Sequence, residues 1–232
     1  MSRIACEFYR FQTADGPTNM AIDGALLEHA VAGSVSLRFY SWHPATLSLG
    51  YFQRATERPV SLPFVRRSTG GGAIIHDHDL TYALALPADV YLATDRPWVC
   101  RIHDAIRAAL TDVGVDRLAC ATVETGRGEF LCFSHQIPGD IAIDSHKIVG
   151  SAQRRRAGGT LIHGSVLLAT STYAPHLPGI RELVGRVLSS EMLADRIASE
   201  IRRQTDWHFI PRDVPPVGDI AAFSADDWNR RR

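Results

Sequence analysis

Alternating and helically spaced apolar positions divide the chain into a strand-rich first two thirds and a helical last third. Residues 5–11 alternate as a strand. A turn at Asp15-Gly16-Pro17 follows, and Thr18 or Asn19 is placed to cap a helix over residues 20–30. In that helix Met20, Ile22, Leu26, Leu27 and Ala30 fall near one apolar stripe. Residues 37–40 and 46–50 read as strands separated by a Trp42-His43-Pro44 turn. Residues 64–87 hold a short strand, a triple-glycine loop and two further strands, the last over 81–86. Pro97 suits the first turn of a helix running to about Leu110, and Gly114 follows its end. Residues 123–139 show little pattern. Residues 141–143 and 148 onward read as a hairpin around Asp144-Ser145-His146, and 161–168 as the last strand. Helices are expected over 182–188 and 191–201, with Ser224 placed to cap a short final one. Strands followed by helices, with no linker between them, predict an α+β fold in one domain over 1–232, helical from about 180.

Composition narrows the function classes. Of 232 residues, 45% are hydrophobic and 22% charged, a globular balance. Lysine plus arginine equals aspartate plus glutamate at 25 each, so bulk charge offers no reason to expect nucleic acid as a partner. No stretch approaches the ~20 apolar residues needed to cross a bilayer, and residues 1–12 lack the apolar run of a signal peptide. Cys6, Cys100, Cys120 and Cys132 show no CxxC spacing and read as reduced thiols. A cytoplasmic protein without membrane contact is expected.

Four stretches have the residue types for chemistry. RRSTGGGA at residues 66–73 places three costly glycines between strands, which suggests close approach to a ligand, with two arginines beside free amides for an anion. A tight turn with solvent-facing arginines is the plainer alternative. His76-Asp77-His78-Asp79 alternates faces in a strand and cannot converge on one ion, so no metal site is expected. KIVGSAQRRR at residues 147–156 places a lysine before small residues that permit close packing. Cys132, in FLCFSH, has the surroundings of a buried, inert cysteine.

Taken in order, these blocks resemble the superfamily of biotin and lipoate protein ligases and octanoyl transferases. RRSTGGGAIIH resembles the RRxTGGGxxxH signature of the lipoate branch. KIVGSAQRR resembles its K-x-x-G-x-A motif, and LIHGSVLL the strand that follows. Asn19-Met20-Ala21-Ile22-Asp23 and residues 38–50 fit the N-terminal region, so the likeness spans the chain to about Leu168. The resemblance implies a mixed or antiparallel sheet flanked by helices. It also implies an acyl groove formed by Arg67, Gly70, Gly71, Gly72, His76, Thr81, Gly150, Ala152, His163 and Gly164, with Cys132 and Lys147 as catalytic residues.

Two activities fit such a scaffold. An octanoyl transferase would move the chain from acyl carrier protein through a cysteine thioester, without cofactor, to a lysine of a lipoyl carrier domain. That domain would belong to the glycine-cleavage carrier protein or a dehydrogenase acyltransferase subunit. A lipoate-protein ligase would instead use ATP and magnesium. Cys132, fifteen residues before Lys147, matches the cysteine-dependent octanoyl transferases of Gram-positive bacteria, as does the closing DDWNRRR. The plain GGGA matches the ligases. A non-catalytic carrier-binding protein would keep the glycines but would not need both Lys147 and Cys132.

Overall fold

Residues 79–87 are all buried, which requires a strand covered on both faces. The computed structural model, which describes residues 3–59 and 61–231, places that strand near the centre of an eight-stranded sheet. The chain runs β1 (Ala5–Ala14), α1 (Gly16–Val31), β2 (Val35–Trp42), β3 (Thr46–Leu49), β4 (Phe64–Arg66), β5 (Ile74–His76) and β6 (Asp79–Pro87). It continues with α2 (Ala88–Leu92), α3 (Trp98–Asp112), β7 (Leu118–Cys120), β8 (Ile141–Ile143), β9 (His146–Arg156) and β10 (Gly159–Leu167). The last elements are α4 (Ile180–Val184), α5 (Ser190–Thr205), β11 (His208–Arg212), α6 (Ile220–Ser224) and α7 (Asp226–Asn229).

The large sheet has the order β11-β1-β2-β6-β10-β9-β8-β7, and a small one has the order β4-β3-β5. β1 pairs in parallel with β11 and β2, while the pairs from β2 through β6, β10, β9 and β8 to β7 are antiparallel. The sheet is therefore mixed, as the resemblance implied. Period-two alternation sorts its side chains. Leu80, Tyr82, Leu84 and Leu86 meet α3 and α5 on one face, and Ala83 and Ala85 meet α1 on the other. Each fully buried leucine or isoleucine contributes about 1.5–3 kcal/mol relative to exposure.

Several expected boundaries differ. α1 starts at Gly16, because the Asp15 carboxylate caps it by accepting from the Thr18 amide at 2.9 Å. Pro17 sits in the first turn, where its missing N–H has no intrahelical partner. Asn19, expected as a cap, is buried inside the helix and donates to the carbonyls of Ala14 and Ser41. α3 begins at Trp98 with Pro97 as its cap residue. α4 ends at Val184 and does not reach 188, since Gly185 turns left-handed at φ 70°. The caps of the last two helices are Asp219 and Ala225, and Ser224 caps neither. β7, α2 and β11 carry no clear pattern in sequence. β11 is an edge strand, which is where its Pro211 is tolerated.

Candidate active site

The glycine loop and Cys132 are joined by backbone pairing. The Cys132 amide donates to the Ala73 carbonyl at 2.7 Å, and the Ala73 amide donates to the Phe130 carbonyl at 2.9 Å. A Cβ on Gly72 would stand 3.0 Å from both the nitrogen and the Cα of Cys132, so only a glycine lets the two segments come this close. Cys132 opens a short 3-10 turn, Cys132–Ser134, and is half-buried.

β9 brings Lys147 to the same place. Its Nζ lies 3.5 Å from Cys132 Sγ, 2.7 Å from Asp140 Oδ2 and 3.0 Å from the His135 carbonyl oxygen. The Lys147 and Asp140 side chains are only 5% and 3% exposed, so this ion pair works at low local dielectric. Gly150 makes room for it, because a Cβ there would lie 2.5 Å from Lys147 Cε and 2.9 Å from Nζ. The obstructed atoms are the end of a flexible side chain, so Gly150→Ala is expected to move the ammonium more than the fold. Turnover should fall about 10²-fold with a small change in thermal midpoint. Steady-state rates beside thermal unfolding check this, and an unaltered rate would show that the position of Lys147 is unimportant.

The wall opposite is polar and mostly paired, with Asp79 Oδ1 left without a hydrogen bond among the described residues. His163 lies 2.6 Å from Thr69 Oγ1 and 2.9 Å from Asp23 Oδ2. His76 lies 2.8 Å from both Ser48 Oγ and Asp79 Oδ2, and Trp42 stacks on it at 3.9 Å while donating to Thr81 Oγ1 at 2.8 Å. Arg67 is buried, and its guanidinium donates to the carbonyls of Ser48, Gly70 and Gly72 and to Thr69 Oγ1. Burial pushes its pKa down to about 10. Behind the cleft, His103 Nδ1 donates to the Gly139 carbonyl at 2.6 Å, which leaves Nε2 to accept from Ser151 Oγ at 2.6 Å.

Burial lowers His103 and His163 below the ordinary histidine value, and hydrogen bonds to Gly139 and Asp23 respectively oppose the shift without cancelling it. The unfolded chain therefore binds protons first as pH falls through about 6.5, and stability is lost from there down to the depressed folded values. The thermal midpoint should drop between pH 7 and pH 5.5. His103→Asn, which keeps a donor for Gly139, should flatten part of that slope. An equal slope in the variant would remove His103 from the explanation.

Met20, Tyr40, Trp42 and Ile74 give this wall an apolar lining, and with Ser48, Arg67, His76, Thr81, Cys132 and His163 they line a narrow, partly open cleft between the two sheets. Among the described residues no three histidine, cysteine or acidic side chains are grouped to hold a metal, and no helix is long and apolar enough to cross a membrane.

Residues 15–202 match the lipoyl protein ligase A/B catalytic domain. The chain belongs to that family. It is 30% identical to octanoyltransferase LipM of Moorella thermoacetica over 94% of this chain and 95% of that one. It is 29% identical to octanoyltransferase LipM of Clostridioides difficile over 86% and 87%. A crystal structure of lipoate-protein ligase A bound with ATP superposes with a TM-score of 0.76 at 20% identity, over 98% of this chain and 99% of that one, which is a likeness of fold.

As a lipoyl ligase A/B domain, the chain gathers most of the expected residues in the cleft. Arg67, Gly71, His76, Thr81, Cys132, Gly150, Ala152, His163 and Gly164 line it, and Lys147 reaches Cys132 from beside it. Gly70 and Gly72 do not line it, and act through the carbonyls that Arg67 holds and the packing on Cys132. Sequence reasoning missed Asp140, which falls between the patternless stretch ending at Gly139 and the strand that starts at Ile141. It also missed Tyr40, Trp42, Ser48, Ile74 and Ser151, which look like ordinary strand residues, and Met20, which looks like part of a helix stripe. Arg66 is turned toward backbone carbonyls. Its guanidinium donates to the carbonyls of Gly50, Tyr51 and Gln53 and to those of Trp228 and Asn229, which ties α7 to the loop. In the arginine run, Arg156 pairs with Glu28, Arg155 with the Tyr91 hydroxyl, and Arg154 lies over the Tyr51 ring.

Proposed function

We propose that this chain is an octanoyltransferase that carries an octanoyl group from acyl carrier protein to a lysine of a lipoyl domain through a thioester on Cys132. The observation that carries this reading is the meeting of Cys132 Sγ and Lys147 Nζ, 3.5 Å apart, at a largely apolar cleft. The names of the relatives that align along nearly the whole chain support the same activity.

The geometry suits two acyl exchanges at one carbon. The Cys132 thiolate attacks the donor thioester, the carrier's C–S bond breaks, and the carrier leaves as a thiolate that takes a proton. The acceptor lysine, as a free amine, then attacks the new thioester. The bond to Cys132 Sγ breaks, an amide forms, and the amine proton leaves with the regenerated thiol. In both steps the carbonyl oxygen becomes negative, and the Lys147 ammonium beside the sulfur is placed to stabilise it. The cleft receives the chain at about 0.8 kcal/mol per buried methylene. No ATP or magnesium is needed, since the donor is already a thioester. Acceptors are the lipoyl domains of the glycine-cleavage carrier protein or of dehydrogenase acyltransferase subunits.

The test is to mix the protein with octanoyl-acyl carrier protein, without ATP, and weigh it intact. The expected result is one octanoyl mass on the wild type that moves to an added lipoyl domain and never forms on Cys132→Ser. Absence of the adduct, with modification of the lipoyl domain only when ATP is supplied, would replace this reading by the ligase.

A further inference from the structure

The position of Lys147 poses a chemical hazard for the thioester mechanism, on which this inference rests. Once octanoyl is bonded to Cys132 Sγ, the Lys147 nitrogen stands beside the acyl carbonyl, 3.5 Å from the sulfur. A neutral amine so placed would outcompete any lysine arriving from solution, since well-oriented neighbours react with effective molarities of about 10⁵–10⁸ M. The nitrogen would form a C–N bond, the C–S bond would break, and the amine proton would pass to the departing thiolate. The product is an octanoyl amide on Lys147, from which no thiol recovers the group. One such event ends the enzyme.

The surroundings of Nζ close that route. An ammonium has three N–H donors and no lone pair, and three acceptors lie within reach here: Asp140 Oδ2 at 2.7 Å, the His135 carbonyl at 3.0 Å and Cys132 Sγ at 3.5 Å. Acylation removes the negative charge from the sulfur. Among the described residues Asp140 is then the one carboxylate paired with Nζ, and its side chain is 3% exposed. It is also held in place: the same Oδ2 accepts from the Ile137 amide at 2.9 Å, and His103 grips the neighbouring Gly139 carbonyl at 2.6 Å.

We propose that Asp140 protects the enzyme from acylating itself, by holding Lys147 as an ammonium while octanoyl rests on Cys132. Asp140 is thus a positioning residue that acts through Lys147. Its carboxylate lets a lysine serve beside a thioester without becoming the acceptor, and it leaves the incoming lysine of the partner as the one free amine.

Wild type, Asp140→Asn and the double variant Asp140→Asn/Lys147→Arg are each incubated with octanoyl-acyl carrier protein and no acceptor. They are weighed before and after neutral hydroxylamine, which cleaves thioesters and spares amides, and then mapped by peptide mass. The wild-type adduct should be wholly labile, with Lys147 unmodified after prolonged incubation. Asp140→Asn should convert most of its octanoyl to a resistant form on Lys147, losing transfer to a lipoyl domain over the same time course. The double variant, whose guanidinium is not acylated, should return to a labile adduct. A resistant amide on wild-type Lys147 overturns the proposal, and this arm needs no variant to fold. So does an adduct on Asp140→Asn as labile as that of the wild type, or a folded Asp140→Asn that never loads, which would assign the carboxylate to loading instead. No adduct on the wild type removes the thioester reading itself, and the role of Asp140 falls with it.

Discussion

Cys132→Ala is expected to reduce octanoyl transfer on the order of 10⁴-fold or more, the scale on which enzymes lose rate with their nucleophile. Without the sulfur, donor thioester and acceptor lysine must occupy the cleft mouth together, and the two-step exchange collapses into one crowded aminolysis. Stability should change by less than about 1 kcal/mol, because the side chain is small, half-buried and held by its backbone amide on Ala73. Initial rates against a lipoyl domain, read beside a thermal melt, separate the two effects. A variant that retains even a tenth of the wild-type rate would leave Cys132 as a packing residue below Gly72.

The second large effect concerns Lys147, and it is double. Lys147→Ala should slow transfer about 10²–10³-fold, the usual cost of removing one donor to a developing oxyanion. It should also destabilise the fold by about 3–5 kcal/mol, since it strands the Asp140 carboxylate at 3% exposure without its counter-charge. A lone lysine near a turn would be removable at little structural cost, whereas burial beside Asp140 gives this one a share in stability. Lys147→Ala/Asp140→Ala distinguishes the two losses. It should regain most of the stability in chemical denaturation and none of the activity. A double variant no more stable than the single would mean that the lysine stem, and not the charge, supports the fold.

The main elements were legible because their signals are local. The 3.6-residue spacing of Ile102, Ala105, Ile106 and Ala109 depends on burial of one helix face, and those four residues are buried in α3. The alternation of β6 likewise predicts its two packed faces. The strand pairing was less legible. β11 lies beside β1, joining residues about 200 positions apart in sequence, and a five-residue edge strand with a proline has no period to detect. Helix starts were misplaced for a similar reason. Asp15 and Asn19 are both good capping types, and only the hydrogen bond actually made to the Thr18 amide separates them.

The chain by itself determined the class of fold, the family likeness and nine of the fifteen residues that line the cleft, because motif residues and their spacings are properties of sequence. Tertiary structure decided what each group faces. It turned one arginine of an adjacent pair, Arg67, into the cradle of the glycine loop and the other, Arg66, into a staple for α7. It brought Asp140, unmarked by any motif, to 2.7 Å from Lys147. The physical reason is that charge pairing and burial act through space. A side chain's neighbours across a sheet are set by register and packing, which no window along the chain contains.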